Sequence, residues 1–412
     1  KFNKLLKKII KQKAILIVGA GILQIPAIKL AKKKKLYVIC TDHNPNAIGF
    51  DFCDKKIILS TKNVTGHVKL IKKLSKLYDI CSVFTQGTDA AVVVAELCKL
   101  LSLPSVSVGA AKISNNKSLF RKCLKKHGIE NIKFKVVTTC SGAHRAAKEI
   151  GLPVIIKAVD NSGSRGIKKI TDLEEIKKSF KKTQSYSSDK KTVLVEEWLD
   201  GSEYSVETIQ YKNKSYRLGI ADRLIGFEPY RVETGHINPS QLGRNDQKKL
   251  YELTEKVAKA VGISFGAAKA DAMITNDGRF VILEIAARLS GGFHSQYTTP
   301  YSTGMNVIKA AMDISLGLDI DKKDVTKTRN KIVVCTSLFP NPGKIIKISG
   351  INKIKKMKGI KNLFLLVKKG DVIKNYQNSA DRIVYLISEG NSLHESQKNS
   401  SNALKKLKII TR

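Results

Sequence analysis

Three short segments of this 412-residue chain hold residue types that can do chemistry together. The first runs Lys157-Ala158-Val159-Asp160-Asn161-Ser162-Gly163-Ser164-Arg165-Gly166. A lysine closes an apolar run, and a loop with two glycines follows. Such a loop exposes backbone N–H groups that cradle phosphate, and the lysine adds a positive charge beside them. It is not a Walker A loop, which reads GxxxxGK[ST], and taken alone such a loop is more often a simple turn. The second segment carries Glu196, Glu197, Trp198, Leu199, Asp200 and Glu203. An extended stretch there can offer backbone groups to a purine edge, apolar side chains to its face and a carboxylate to ribose hydroxyls. The bland alternative is a strand–turn–strand with exposed acids. The third places Asp271 in an apolar run, Glu284 in the next run, and Arg288 four residues later. Two carboxylates facing each other across paired strands repel unless a cation lies between them. Oxygen donors of this kind suit Mg²⁺, which takes one or two carboxylates plus substrate phosphates. Arg288 can stabilise charge on a transferring phosphoryl group or a tetrahedral centre. The bland alternative is a Glu284–Arg288 ion pair.

The elements that must position these segments follow from apolar periodicity. Strands over 13–19, 36–41, 57–59 and 80–85 alternate with helices over 25–33, 64–77 and 89–101. That alternation predicts a parallel sheet with crossover helices, in a first domain spanning 1–115. The turn Gly19-Ala20-Gly21, with Asp42 ending the second strand, is half of a dinucleotide fingerprint. Gln24 stands where the third glycine belongs, so NAD is disfavoured. A second domain, 116–320, reads as α+β, with helices over 117–127, 173–182, 246–261 and 304–316. Its strands are placed at 154–158, 193–198, 204–211 and 215–225, and Asn276-Asp277-Gly278 joins the hairpin 265–275 and 279–285. A polar linker over 317–330 leads into a third domain, 321–412, of short strands and a closing helix over 392–407.

Composition bounds the class. With 42% apolar residues the chain can build real cores, and no apolar run approaches the length of a membrane-spanning helix. Its first 13 residues are basic and amphipathic, without the apolar core of a signal peptide, so a cytoplasmic location is expected. Seven cysteines without a CxxC pair fit neither a zinc ribbon nor a disulfide framework. The net charge of +39 invites a nucleic-acid reading. Only 12 of the 74 basic residues are arginine, the residue that bidentate base and phosphate contacts favour. Residues 190–300, by contrast, hold 15 basic and 14 acidic side chains. The surplus therefore reads as a lysine bias spread over surfaces, and no specific nucleic-acid partner is expected.

Taken in order, these segments resemble the ATP-grasp ligases over essentially the whole chain. VGAGILQIPAIKLAKKKKLYVICTDHNPNA is similar to the first domain of the biotin-carboxylase-like and purine-pathway members. NKSLFRKCLKKHGI resembles the entry to their ATP-grasp domain, and GDVIKNYQNSADRIVYLISEG their small C-terminal domain. LEIAARLSGG resembles most the amino-acid and dipeptide ligases. The resemblance implies a three-domain ATP-grasp architecture: a Rossmann-like parallel-sheet domain, an ATP-grasp domain with a glycine-loop lid, and a small β-rich domain. It implies that Lys117 and Lys157 contact nucleotide phosphates and that Ser162, Gly163, Ser164 and Gly166 close over them. Glu196, Trp198 and Leu199 would line the adenine, in part through backbone, Glu203 would bind ribose, and His236 would lie near the phosphates. Asp271 and Glu284 would ligate Mg²⁺, or Mn²⁺ in its place, while Arg288 would steady the acyl phosphate and its tetrahedral adduct. Many members carry Asn two residues after the second metal acid; Ala286 stands there, which removes one side-chain ligand.

The implied reaction uses ATP to activate a small-molecule carboxylate as an acyl phosphate for attack by an amine. A homodimer is allowed for, and no membrane partner is expected. Two other readings remain: a carboxylase or purine-pathway enzyme of the same fold, and a nucleotide-binding regulator without turnover. No motif encodes the carboxylate or the amine. Gly87-Thr88-Asp89, Arg223, Arg231 and Gly291-Gly292-Phe293-His294 are the substrate-side candidates. Helix N-capping by Thr88 or Asp89, and an ion pair of Arg231 with Glu228 or Glu233, are the bland alternatives.

Overall fold

The computed structural model describes residues 11–129, 132–161 and 163–412. The first parallel sheet has the strand order Lys55–Ile58, Tyr37–Asp42, Gln12–Val18, Tyr78–Phe84. Residues 14–18, Ala-Ile-Leu-Ile-Val, are fully buried, as expected for a central parallel strand covered by helices on both faces. Helix Val64–Leu77 begins where the Asn63 side chain accepts from the Gly66 N–H at 2.8 Å.

A four-stranded antiparallel sheet follows, ordered Phe134–Val137, Val193–Glu197, Val154–Ala158, Ile167–Ile170. Helices Cys140–Ile150 and Ile176–Tyr186 cover one face through Ala143, Ala147, Ile176 and Phe180. The sequence pattern had placed neither the outer strands of this sheet nor the first of these helices.

The largest sheet has eight strands, all paired antiparallel. It runs from Phe280–Ala286 through Gly266–Thr275, Gly201–Tyr211, Lys214–Gly226 and Val232–Asn238. It continues through Ile332–Thr336, Val384–Gly390 and Ile360–Leu365, so the tail extends the same sheet that carries the hairpin. Strand Gly266–Thr275 shows how sequence divides its faces. Ala268, Ala270 and Ala272 pack on Val257 and Val261 of helix Arg244–Val261. Their small side chains let that helix approach closely. Lys269, Asp271 and Met273 alternate with them and point to the other face.

The N-terminal parallel-sheet part meets this polar face beside the turn after the hairpin. Gln86 forms a parallel bridge with Leu289, and the Gly87 N–H donates to the Leu289 carbonyl at 3.2 Å. Gly87 has φ +63°, and a Cβ there would lie 3.0 Å from Leu23 and 3.3 Å from the Gly291 Cα. Only glycine allows this approach without displacing the turn after the metal-type acids. Among the described residues no helix is long and apolar enough to cross a membrane.

Candidate active site

One cleft lies between the two antiparallel sheets, closed at its ends by the first domain and the tail, and encloses about 1340 Å³ with its solvent mouth. Lys117, Lys157, Gly163, Ser164, Glu196, Trp198, Leu199, Glu203, Asp271, Glu284 and Arg288 all line it. Residues as distant in sequence as Gly163 and Ser379 are in contact there.

Lys117 is the first residue of helix Lys117–Lys126, whose N-cap Asn116 accepts from Ser118 and Leu119. Its own N–H donates to the Val159 carbonyl at 2.7 Å, which ties the helix start to the end of the Lys157 strand. Lys117 Nζ lies 2.9 Å from Glu284 Oε2 and donates to the Asn161 carbonyl at 2.6 Å. Burial opposes its charge, but Glu284 outweighs burial and raises its pKa.

Glu196 is held from two sides, by Arg121 Nε at 2.5 Å and Lys157 Nζ at 2.5 Å. Burial alone would raise its carboxyl pKa; the two cations prevail and hold it at about 2. Arg121 also donates to the Ile282 and Leu283 carbonyls, at 2.8 and 3.1 Å, and so spans both sheets. The resemblance set Glu196 against the adenine, in part through backbone; its carboxylate lies inside the wall, where it pairs with Lys157, and the residue still lines the cleft.

Trp198 donates through its indole N–H to Asp200 at 2.7 Å. Lys169 Nζ and Arg231 Cζ lie over its ring, 4.2 and 4.8 Å from the centroid. Ile155, Ile167, Leu199, Met273 and Leu283 complete an apolar wall able to cover a flat ring. Of these the sequence had singled out only Leu199.

Asp271 stands directly opposite Glu284 in the register of the hairpin. Lys269 pairs with Asp271, and Arg223 lies 3.1 Å from it, while Lys117 meets Glu284. Burial would raise the Asp271 pKa, but Arg223 and Lys269 lower it. Asp271 is thus buried with its charged form favoured, Glu284 faces it at the cleft surface, and cations already serve both, a donor set that fits a hard divalent ion held jointly with phosphate oxygens. Arg288 pairs with Asp89 at 2.8 Å, not with Glu284. Asp89 therefore does not cap the following helix, whose N-cap is Ala90 with no side-chain bond. Arg223 lies 2.7 Å from Glu203 and 3.1 Å from Glu233, and Arg231 pairs with Glu203 rather than with Glu228 or Glu233.

Of the described residues given nucleotide roles, Gly166 and His236 do not line the cleft, nor do the substrate-side candidates Thr88, Asp89 and Phe293. Gly166 has φ +72°, and a Cβ would come within 2.9 Å of Ala158 Cβ, so it shapes the loop's return to its strand. His236 is fully buried behind the wall; its Nε2 meets Thr298 Oγ1 at 3.0 Å and its ring stacks on His294 at 3.6 Å. Burial first, then His294, push its pKa down to about 3, so it is neutral. Ser162 lies outside the described residues. Glu233, His236 and His294 bring one ligand atom each within 4.8 Å of one another. A shared metal would have to lie in both imidazole planes, which are stacked 18° apart, so the trio is better suited to hydrogen bonding than to metal binding.

Several lining residues were not found from sequence: Glu233, Lys269, Ser379 and Arg382. Lys269 had a signal, since it sits two residues before Asp271 and therefore on the same strand face. Ser379 and Arg382 had none, being in the tail. The Ser379 N–H donates to the Gly163 carbonyl at 2.9 Å, and Ser164 Oγ donates to the Arg231 carbonyl at 2.8 Å. The glycine loop is therefore held down over the cleft from two sides.

Comparison with known proteins agrees with this arrangement. Residues 150–296 match the ATP-grasp domain family, and residues 337–412 match L-amino acid ligase C-terminal domain 2. The alanine–anticapsin ligase of Bacillus subtilis (strain 168) is 28% identical over 247 residues, covering 54% of this chain and 52% of the ligase. The chain thus spans about half the length of that relative. The crystal structure of an L-amino acid ligase from Bacillus licheniformis superposes with a TM-score of 0.82 at 19% identity, covering 98% of this chain and 99% of the other. A phosphoribosylglycinamide synthetase from Anaerococcus prevotii gives 0.75 at 21%, covering 97% and 100%. Residues 150–296 are thus an ATP-grasp domain, and residues 337–412 an L-amino acid ligase C-terminal domain.

Proposed function

We propose that this chain uses ATP to activate a small-molecule carboxylate and joins it to an amine, releasing ADP and phosphate. The observation that carries this is the Asp271–Glu284 pair, set face to face in a cleft whose other walls bring Lys117, Lys157 and Arg288. The names of the alanine–anticapsin ligase and the L-amino acid ligase support it. Three domains, 1–115, 116–320 and 321–412, build the site, and a cytoplasmic location goes with the use of ATP.

In this reading the apolar wall and Trp198 hold the purine, and Glu203 takes ribose hydroxyls. Lys117 and Lys157 neutralise phosphate oxygens, since phosphoryl transfer is governed by positioning and electrostatics. Asp271 and Glu284 would hold Mg²⁺, or Mn²⁺ in its place, which when bound supplies charge neutralisation on the phosphates. Arg288, oriented by Asp89, faces the same space and stabilises the negative charge of the tetrahedral adduct. The glycine loop excludes water that would hydrolyse an acyl phosphate.

The test is phosphate release from ATP across a panel of amino acids and amines. Release that needs both a carboxylate and an amine supports the ligase. Release with bicarbonate alone would indicate a carboxylase, and nucleotide binding without turnover a regulator. Glu284→Gln should abolish turnover with circular dichroism unchanged; a variant as active as the parent would sink the metal assignment.

A further inference from the structure

A second cavity lies against the glycine loop and encloses about 690 Å³ with its solvent mouth. It shares Ser164 and Ile167 with the cleft, and its other walls include helix Ile176–Tyr186 and Gln377 and Asn378 of the tail. The edge strand Ile167–Ile170 divides the two spaces by alternation. Lys169 lies over Trp198 on the cleft side, while Lys168 turns the other way and pairs with Glu175 at 2.6 Å, at the start of the helix.

The charge of this cavity is one-sided. Arg165, Lys168, Lys178 and Lys182 line it, and among the described residues no carboxylate does. The acids close by are engaged: Glu175 by Lys168, and Asp381 by the Gln377 and Asn378 N–H groups at 2.8 and 3.0 Å. Lys178 and Lys182 stand at i and i+4 on one helix face, where like charges repel. Lys182 Nζ donates to an amide oxygen of the tail, Gln377 Oε1, at 3.2 Å. Ser179, 3% exposed, lines the same cavity, and its hydroxyl is buried without a hydrogen-bond partner. Cations focused by a concave wall and a desolvated hydroxyl among them are both relieved by an anion with several acceptor oxygens. A phosphate group is such an anion, and its hydrogen bonds from lysine and arginine are charge-assisted. We propose that this cavity is a second anion site, outside the nucleotide cleft, that takes a phosphate group, free or carried on a small molecule. Its walls belong to the loop, to the helix beside it and to the tail, so the bound anion ties the three together and holds the loop down.

In a chain with a net charge of +39, the test must separate this site from diffuse attraction. Inorganic phosphate, and separately phenyl phosphate, is titrated by calorimetry into protein saturated with a non-hydrolysable ATP analogue, which occupies the cleft. One saturable site is expected, and the tighter of the two probes tells whether it takes the free anion or an ester. Lys178→Gln together with Lys182→Gln should weaken binding about tenfold or more. Lys178→Arg together with Lys182→Arg should retain it and guards against a merely misfolded variant. Lys353→Gln together with Lys355→Gln removes the same charge from an exposed part of the tail and should leave binding unchanged. With the anion bound, hydrogen exchange should slow together in peptides covering 164–168, 176–186 and 377–378. Absence of a saturable site, undiminished binding in the first variant, an equal loss in the remote pair, or protection that leaves out the tail would each overturn the inference.

Discussion

At the scale of single residues, the cleft is a set of buried ion pairs, and Glu196 is the most constrained. A carboxyl whose folded pKa lies below its unfolded value stabilises the fold at pH values above the unfolded pKa. That contribution is lost as pH falls through the folded pKa. For Glu196 the window runs from about 4.5 down to about 2, and the contribution is about 3 kcal/mol. Urea unfolding followed between these pH values should show that loss in the parent protein. Glu196→Gln should be less stable at neutral pH, because Arg121 and Lys157 lose their partner, and should have a flatter acid limb. An acid limb as steep in Glu196→Gln as in the parent would remove Glu196 from this role. The sequence shows this glutamate but not its duty. Its partners lie 75 and 39 positions away, and nothing local distinguishes a carboxylate facing a ligand from one facing two cations.

At the scale of elements, legibility tracked apolar pattern. Helices Ile25–Lys33 and Val64–Leu77 fall where the periodicity placed them, because each has a continuous apolar stripe and a clear start. Strand Phe134–Val137 and strand Ile167–Ile170 escaped because each is four residues long and lysine breaks its apolar run: exposed Lys135 in the first, half-buried Lys168 and Lys169 in the second. Strand Val232–Asn238 escaped for another reason: Glu233, which lines the cleft, and His236, buried behind its wall, interrupt its apolar run. The two faces of strand Gly266–Thr275 should separate by phenotype. Ala270 is fully buried against the helix layer, so Ala270→Leu overpacks it and should cost about 1–3 kcal/mol, read as a lower melting temperature. A melting temperature equal to the parent's would mean that the helix layer yields, and that the alanines do not set its distance.

At the scale of the whole molecule, the sequence located the charge better than the joints. The near-neutral stretch 190–300 does hold Glu196, Glu203, Asp271 and Glu284, all on the cleft wall. The contacts that assemble the cleft are another matter. Arg288 meets Asp89 across 199 positions, and Ser379 reaches both Gly163 and the Glu233 N–H. Such pairings have no periodicity to betray them; they exist only once three parts of the chain have folded and met. The Ser379 contacts carry a consequence for motion. The glycine loop cannot rise without breaking its bond to the tail, so loop and tail should open and close as a unit. Hydrogen exchange, which reads local opening, can follow both. With a non-hydrolysable ATP analogue bound, peptides covering 163–166 and 377–382 should gain protection together. With Ser379→Pro, which removes the N–H that holds Gly163, exchange at 163–166 should quicken even in the free protein. Protection of the loop alone, with the tail unchanged in both experiments, would show that the lid closes independently and that the tail is only a wall.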